Sequence, residues 1–218
     1  MEISVIIPVY IGESKHLPMS VKCLNLAREK TKLPYELIIV ETRSDYLKEY
    51  ADVHIYEKTR TDSIKSVNRA LKISTSDYIV VLTNDVFVSD NWLECLRDCF
   101  KLSDCGISTI ASTESRSIKE DKIEEGIWFP LTMTPQWLFK KIGYYDEGYR
   151  RYWADTDFIL KTYEAGYKMY RNFNCVVEHS PGTTLYNEPD HKQSLLFSRE
   201  RFREKNKDCK HPMFQKLK

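Results

Sequence analysis

An α/β fold, with a mostly parallel central sheet and flanking helices, is what this sequence predicts, on three observations. Apolar runs of about five β-prone residues, such as Ile3-Ser4-Val5-Ile6-Ile7 and Tyr78-Ile79-Val80-Val81-Leu82, suit strands buried on both faces. Segments of helical apolar spacing lie between such runs, as right-handed β-α-β units require. Turn-forming or capping residues stand at the changeovers, among them Pro8, Asp62 and Thr83-Asn84-Asp85.

Taken in order, the first strand covers 3–7 and ends at Pro8, which has no N–H for a ladder. A helix follows over 17–30, with Pro18 tolerated in its first turn. Residues 35–40 and 53–56 read as a second strand and a short third one. Asp62 or Ser63 caps a helix whose Ile64, Val67, Ala70 and Leu71 fall on one face. The 78–82 strand comes next, then a helix near 90–100 that turns Trp92, Leu93 and Leu96 inward. Residues 112–125 are polar and predict a mobile loop. Thr134-Pro135 reads as an N-cap and first helical residue, opening a short helix through Lys140. Trp128, Phe129, Trp137, Phe139, Tyr144, Tyr145, Tyr149, Tyr152 and Trp153 crowd this region, mostly as core, though aromatic rings also pack on sugar C–H faces. Asp155 or Asp157 starts a helix to Ala165, with Gly166 as its C′ residue. Residues 175–179 form a last strand, stopped by Ser180-Pro181-Gly182, and Asp190 caps a terminal basic helix.

A chain of 218 residues, 42% hydrophobic and 30% charged, is long enough to bury a substantial core. No run approaches the roughly 18 apolar residues of a membrane span. The N-terminal apolar run lacks the basic flank of a signal peptide. The six cysteines show no C-x-x-C pair, and reduced thiols in a cytoplasmic protein are expected. Net charge is +1, but residues 191–218 carry nine Lys/Arg against three Asp/Glu. Such a basic helix is either a solvated face or a contact for an anionic surface, nucleic acid or acidic substrate.

Three groups stand at element edges: Asp85 after a strand, Asp155 opening a helix, and His179 ending a strand. In open α/β sheets ligands bind beyond the carboxyl ends of strands, where Asp85 can reach a cation. A plainer reading makes Asn84-Asp85 a turn. A carboxylate and an imidazole are a credible pair for a divalent ion whose shell is completed by phosphate oxygens. Asp155 serves either as compensation of the helix dipole or as a general base. His179 is otherwise a structural histidine.

The order of these pieces resembles the family 2 inverting glycosyltransferases of the GT-A fold, over nearly all of residues 3–184. Val5-Ile6-Ile7-Pro8-Val9-Tyr10 is similar to that family's first strand and base-binding turn. Glu36-Leu37-Ile38-Ile39-Val40-Glu41 is similar to its second strand. Asn68-Arg69-Ala70, followed by Tyr78 through Asp85, resembles the approach to its Asp-x-Asp-type metal motif. Ile142-Gly143-Tyr144-Tyr145-Asp146-Glu147, then Tyr152-Trp153-Ala154-Asp155-Thr156-Asp157-Phe158, resembles the run that supplies its base. Ala165-Gly166-Tyr167 and His179-Ser180-Pro181-Gly182-Thr183 resemble its close. The branch with Asn-Asn-Asp-like motifs, including rhamnosyl- and galactofuranosyltransferase-like members, is the most similar.

The resemblance implies a Rossmann-like sheet with an acceptor-side extension: a nucleotide-sugar half over 1–110, an acceptor and base half over 111–189, and a basic tail over 190–218. It implies Mn²⁺ or Mg²⁺ on Asp85 and His179, and Asp155 as base. Pro8, Tyr10, Glu41, Asn68, Asn84 and Asp85 would contact a uridine- or thymidine-diphosphate sugar. Trp153 and Asp157 would orient the base or meet the acceptor, which is a glycan, lipid-linked glycan, protein or modified nucleic acid. One base suffices for a single displacement with inversion, so the two-carboxylate logic of glycoside hydrolases does not carry over. The sequence departs from the family pattern at Glu41-Thr42-Arg43-Ser44, at Thr83 and at Ala154. A non-catalytic nucleotide- or glycan-binding module is the alternative. A nucleotidyltransferase would show a Gly-rich basic loop after the first strand, which Tyr10-Ile11-Gly12-Glu13-Ser14 does not.

Overall fold

The protein's computed structural model describes residues 2–12, 16–59, 62–113, 122–127, 131–180, 190–211 and 214. In chain order the elements are β1 (Ile3–Tyr10), α1 (His16–Glu29), β2 (Glu36–Thr42), β3 (Val53–Glu57), α2 (Ser63–Ile73), β4 (Tyr78–Leu82), β5 (Val86–Phe87) and α3 (Trp92–Asp98). Then follow β6 (Cys105–Ser112), β7 (Ile123–Glu125), β8 (Leu131–Pro135), α4 (Gln136–Ile142), α5 (Ala154–Glu164), β9 (Lys168–His179) and α6 (His191–Lys205).

The sheet runs β3-β2-β1-β4-β8-β6-β9-β5, with β7 also on β9. Strands β3, β2, β1 and β4 are mutually parallel, β8 is antiparallel to both β4 and β6, and β6 is parallel to β9. The alternating pleat sends β1's Val5, Ile7 and Val9, with Val80 and Leu82 of β4, into a layer beneath α1 and α3. Ile6 and Ile79 enter the opposite layer with α2, α4, α5 and α6. Apolar residues on both faces explain why these strands read as unbroken apolar runs.

Several sequence expectations are corrected. β1 continues through Pro8, which lies opposite Val40 of β2. Pairing with β4 stops at Ile6, so the missing N–H falls where the ladder has opened. β6 does not stand out in the sequence because six of its eight residues are small or hydroxylated, yet all eight are buried. Thr109 Oγ1 donates to the Leu131 carbonyl at 2.8 Å. At Gly106 a Cβ would lie 2.8 Å from side-chain carbons of Thr162 and Tyr167. The expected strand over 175–179 is the end of the 12-residue β9. The polar stretch 112–125 closes β6 and supplies β7, with 114–121 outside the described residues. Trp128, Phe129 and Pro181 through Thr183 also lie outside them.

Capping follows the sequence at α2, where Asp62 accepts from the Ile64 N–H at 3.1 Å. Gly166 takes the left-handed turn after α5, at φ +87°. Thr134-Pro135 instead ends β8, with Pro135 as the N-cap of α4. Asp190 is the N-cap of α6, but its carboxylate pairs with Arg151 at 2.8 Å. The reduced-thiol expectation is also corrected: Cys95 of α3 and Cys175 of β9 form a disulfide, while Cys23, Cys99, Cys105 and Cys209 stay outside it. Burial pushes the Cys23 and Cys99 thiols up to about 12. Among the described residues no helix is long and apolar enough to cross a membrane.

Candidate active site

The turn after β4 carries the first candidate group. Thr83-Asn84-Asp85 is closed by the Val86 N–H donating to the Thr83 carbonyl at 3.2 Å. Strand β5 then pairs antiparallel with the end of β9, Val86 opposite His179. That pairing joins Asp85 to a histidine distant in sequence, with Asp85 Oδ2 and His179 Nε2 3.8 Å apart. The separation exceeds a hydrogen bond. Asp85 Oδ1 is buried and accepts no hydrogen bond among the described residues. A carboxylate with one buried, unpartnered oxygen and the other 3.8 Å from an imidazole fits a divalent cation. No third His, Cys, Asp or Glu completes a cluster among the described residues. Such a cation would therefore keep positions for oxygen ligands from outside the chain.

Helix α1 backs this turn. Asn84 Nδ2 donates to Ser20 Oγ at 2.8 Å, and Cys23 Sγ lies 3.7 Å from the Thr83 carbonyl. Asn84, expected at the nucleotide sugar, thus has its amide bound to α1.

The second group is Asp155 at the start of α5. The backbone enters that helix through two left-handed non-glycine residues, Arg151 (φ +64°) and Trp153 (φ +70°). Strain of this kind, about 1–3 kcal/mol per residue, persists where surrounding contacts over-determine it. Here those contacts are the Arg151–Asp190 pair, a 2.6 Å bond between Tyr152 Oη and His191 Nδ1, and the Trp153 ring 5.0 Å from Phe202. Trp153, not an aspartate, holds the N-cap position, which corrects the expected helix start.

Asp155 lines a cavity of about 320 Å³ with Pro8, Thr83, Tyr145, Arg151 and Tyr152. Its side chain is open to the cleft yet ringed by protein. Desolvation therefore raises its carboxyl above the ordinary range, against opposing bonds from Thr156. Tyr145 stands alongside, its phenol pushed up by burial and then by the Asp155 charge, so it stays protonated. The deeper wall is apolar, including Ile107, Leu131, Phe158 and Ile159. The cavity thus brings Asp155 together with Pro8 and with Thr83, which begins the turn that carries Asp85.

Other expected site residues stand elsewhere. Glu41 is fully buried and does not line the cavity. It accepts from Ser44 Oγ (2.6 Å), Tyr46 N (3.0 Å) and Leu47 N (3.1 Å), and lies 3.0 Å from His54 Nε2. In this structure its carboxylate is engaged by the loop after β2 and by His54 of β3. Asn68 bonds the Tyr145 backbone in both directions, at 2.8 and 3.2 Å, joining α2 to the segment before Asp155. Asp157 points away from the cleft into a buried ionic cluster. Tyr10 is half-buried, its ring folded over Gly12, where a Cβ would sit 2.6 Å from Cε1. Tyr145 and Tyr152, read mostly as core with a sugar-packing alternative, line the cavity, whereas Arg151 was missed because nothing in the sequence separates it from the chain's other surface cations.

No match is found among curated proteins. Among solved structures, the mannosyltransferase PcManGT from Pyrobaculum calidifontis, in complex with GDP-Man and Mn²⁺, is similar. Its TM-score is 0.73 over 93% of this chain, at 16% identity. GalNAc-T7 with UDP, GalNAc and Mn²⁺ is similar at a TM-score of 0.68 over 82% of this chain, at 13% identity. The chain spans 64% and 44% of those two proteins' lengths. The likeness establishes the GT-A fold. The family model for glycosyl transferase family 2 matches residues 4–153, well over half of the 218. The strand order, the turn after β4 and the segment entering α5 lie in or border that stretch, and the chain belongs to glycosyl transferase family 2.

Proposed function

We propose that this protein transfers a sugar from a nucleotide-diphosphate donor to an acceptor hydroxyl by a single displacement with inversion, Asp155 acting as general base. One observation carries the reading: a carboxylate with a raised pKa shares a cleft at the strands' carboxyl ends with the turn bearing Asp85. A carboxylate tuned upward is better matched to removing a hydroxyl proton at neutral pH. The protonated Tyr145 beside it can donate to an incoming oxygen.

Asp85 and His179 would hold Mn²⁺ or Mg²⁺, whose chemistry is neutralisation of charge on the departing diphosphate. The unpartnered Asp85 Oδ1 supports that assignment, as do the Mn²⁺ ions in the two similar structures. Residues 1–110 would form the donor half and 111–189 the acceptor half. Uridine or thymidine donors follow from the sequence resemblance, including its rhamnosyl- and galactofuranosyltransferase-like branch. PcManGT, which holds GDP-Man, brings guanosine donors into the test. The Cys95–Cys175 bond favours oxidising surroundings over the cytoplasm.

The test is product formation from a panel of UDP-, TDP- and GDP-sugars with simple glycoside acceptors, reading anomeric configuration by NMR. Transfer with inversion that Asp155→Asn abolishes, donor binding being kept, supports the proposal. Retained turnover in Asp155→Asn, or retention of configuration, overturns it.

A further inference from the structure

Residues two apart on a helix project about 200° apart around its axis. Asp155 therefore faces the cleft while Asp157 faces inward, where it is 1% exposed. A carboxylate this buried persists only with partners. Asp157 has Tyr149 Oη at 3.0 Å, Lys161 Nζ at 3.3 Å and Lys205 Nζ at 2.9 Å. The last of these comes from α6.

Arg201 and Lys205 are spaced i, i+4, so both leave one face of α6. The Lys205 ammonium also lies 2.7 Å from Asp146 Oδ2, and Arg201 Nη2 lies 3.0 Å from the same oxygen. Gly148 leaves room for that guanidinium, which a Cβ there would strike. Burial alone would raise Asp146, yet bonds from Lys205, the Gly148 N–H and Arg201 outweigh it and hold the carboxyl at about 2. One ammonium thus ties both ends of the strained segment between Asp146 and Asp157, from which Asp155 projects. Two of the terminal helix's cations, each still about a third exposed, are thus engaged by the protein's own carboxylates.

We infer that Lys205 is a positioning residue for the base: by bridging Asp146 and Asp157 it fixes the segment that aims Asp155 into the cleft. The inference rests on the reading of Asp155 as base. It makes α6, beyond the stretch matched by the family model, part of the catalytic apparatus.

The experiment compares wild type, Lys205→Met, Lys205→Arg and Lys192→Met, the last an exposed α6 residue outside the site. Lys205→Met is expected to lower kcat about tenfold to a hundredfold, as misaligned catalytic groups do. Donor KM should stay within about twofold, because the displaced group acts on the acceptor proton. Amide exchange over 153–157 should quicken, Lys205→Arg should restore part of kcat, and Lys192→Met should match wild type. If Lys205→Met does not fold, Lys205→Met/Asp157→Asn removes the buried carboxylate left with Lys161 as its cation and is held to the same expectation. A folded variant with unchanged kcat, or with kcat and KM shifted alike and no faster local exchange, overturns the inference while the base reading stands. Turnover by Asp155→Asn removes the base itself, a failure visible before Lys205 is altered.

Discussion

Glu41→Gln tests whether this carboxylate builds the fold or touches the nucleotide. The native side chain has three donors and the His54 ring around its two oxygens, in a site with no exposure. Glutamine keeps one acceptor oxygen and replaces the other with an NH₂ group. If the amide nitrogen takes the Oε2 position, it confronts the Leu47 N–H. If it takes the Oε1 position, it confronts the Tyr46 N–H. Ser44 can rotate its hydroxyl and His54 can change tautomer, but a backbone N–H can do neither. One buried N–H is orphaned in either orientation, at about 1–3 kcal/mol, and a charge-assisted bond is lost as well. The expected loss is therefore about 2–4 kcal/mol, read from urea unfolding at constant m-value. Nucleotide affinity should fall only as far as the 43–47 loop loosens. A variant as stable as wild type but strongly impaired in nucleotide binding would refute the assignment and restore Glu41 as a direct contact.

Further outcomes are expected. Since burial raises the Asp155 pKa, kcat/KM should fall on acidification through a value above the ordinary carboxylate figure of about 4. The same raised pKa makes ionised Asp155 costly to the fold at neutral pH, so Asp155→Asn should be more stable than wild type at pH 7, and the difference should vanish once both states bind the proton. Asp146, held at about 2, contributes stability that is complete above its unfolded value and lost as pH falls between about 4 and 2; amide exchange in α6 should rise across that window, and exchange independent of pH there would contradict the ionic clamp. Thiol titration of the unreduced, unfolded protein should find four thiols and no more, and Cys95→Ser should cost roughly 2–4 kcal/mol.

Much of residues 1–110 was legible because the strands there are buried on both faces, so composition alone marks Tyr78–Leu82 and its neighbours. The cleft-facing Asp155 and the Asp85–His179 pair were legible through motif order. The rest depended on long-range contacts. β6 has the composition of a loop, since Ser108, Thr109 and Ser112 are buried in a strand whose pairing comes from distant β8 and β9. Glu41 occupies a motif position, and only the fold shows its oxygens turned to the loop and to β3. Cys95 and Cys175 are separated by 80 positions, and their partnership follows from α3 lying on β9. The pairing of Arg201 and Lys205 with Asp146 and Asp157 could not be read from a helix whose cations all look solvated.

The measurement that bears most directly on the central claim is calorimetric titration of UDP, TDP and GDP into wild type and His179→Ala, with and without Mn²⁺. The account predicts that one nucleotide binds wild type in a Mn²⁺-dependent way, and that His179→Ala weakens the Mn²⁺-dependent part by about tenfold or more, in the range set by loss of a metal-site group. Binding that ignores Mn²⁺, or no binding by any of the three, would contradict it.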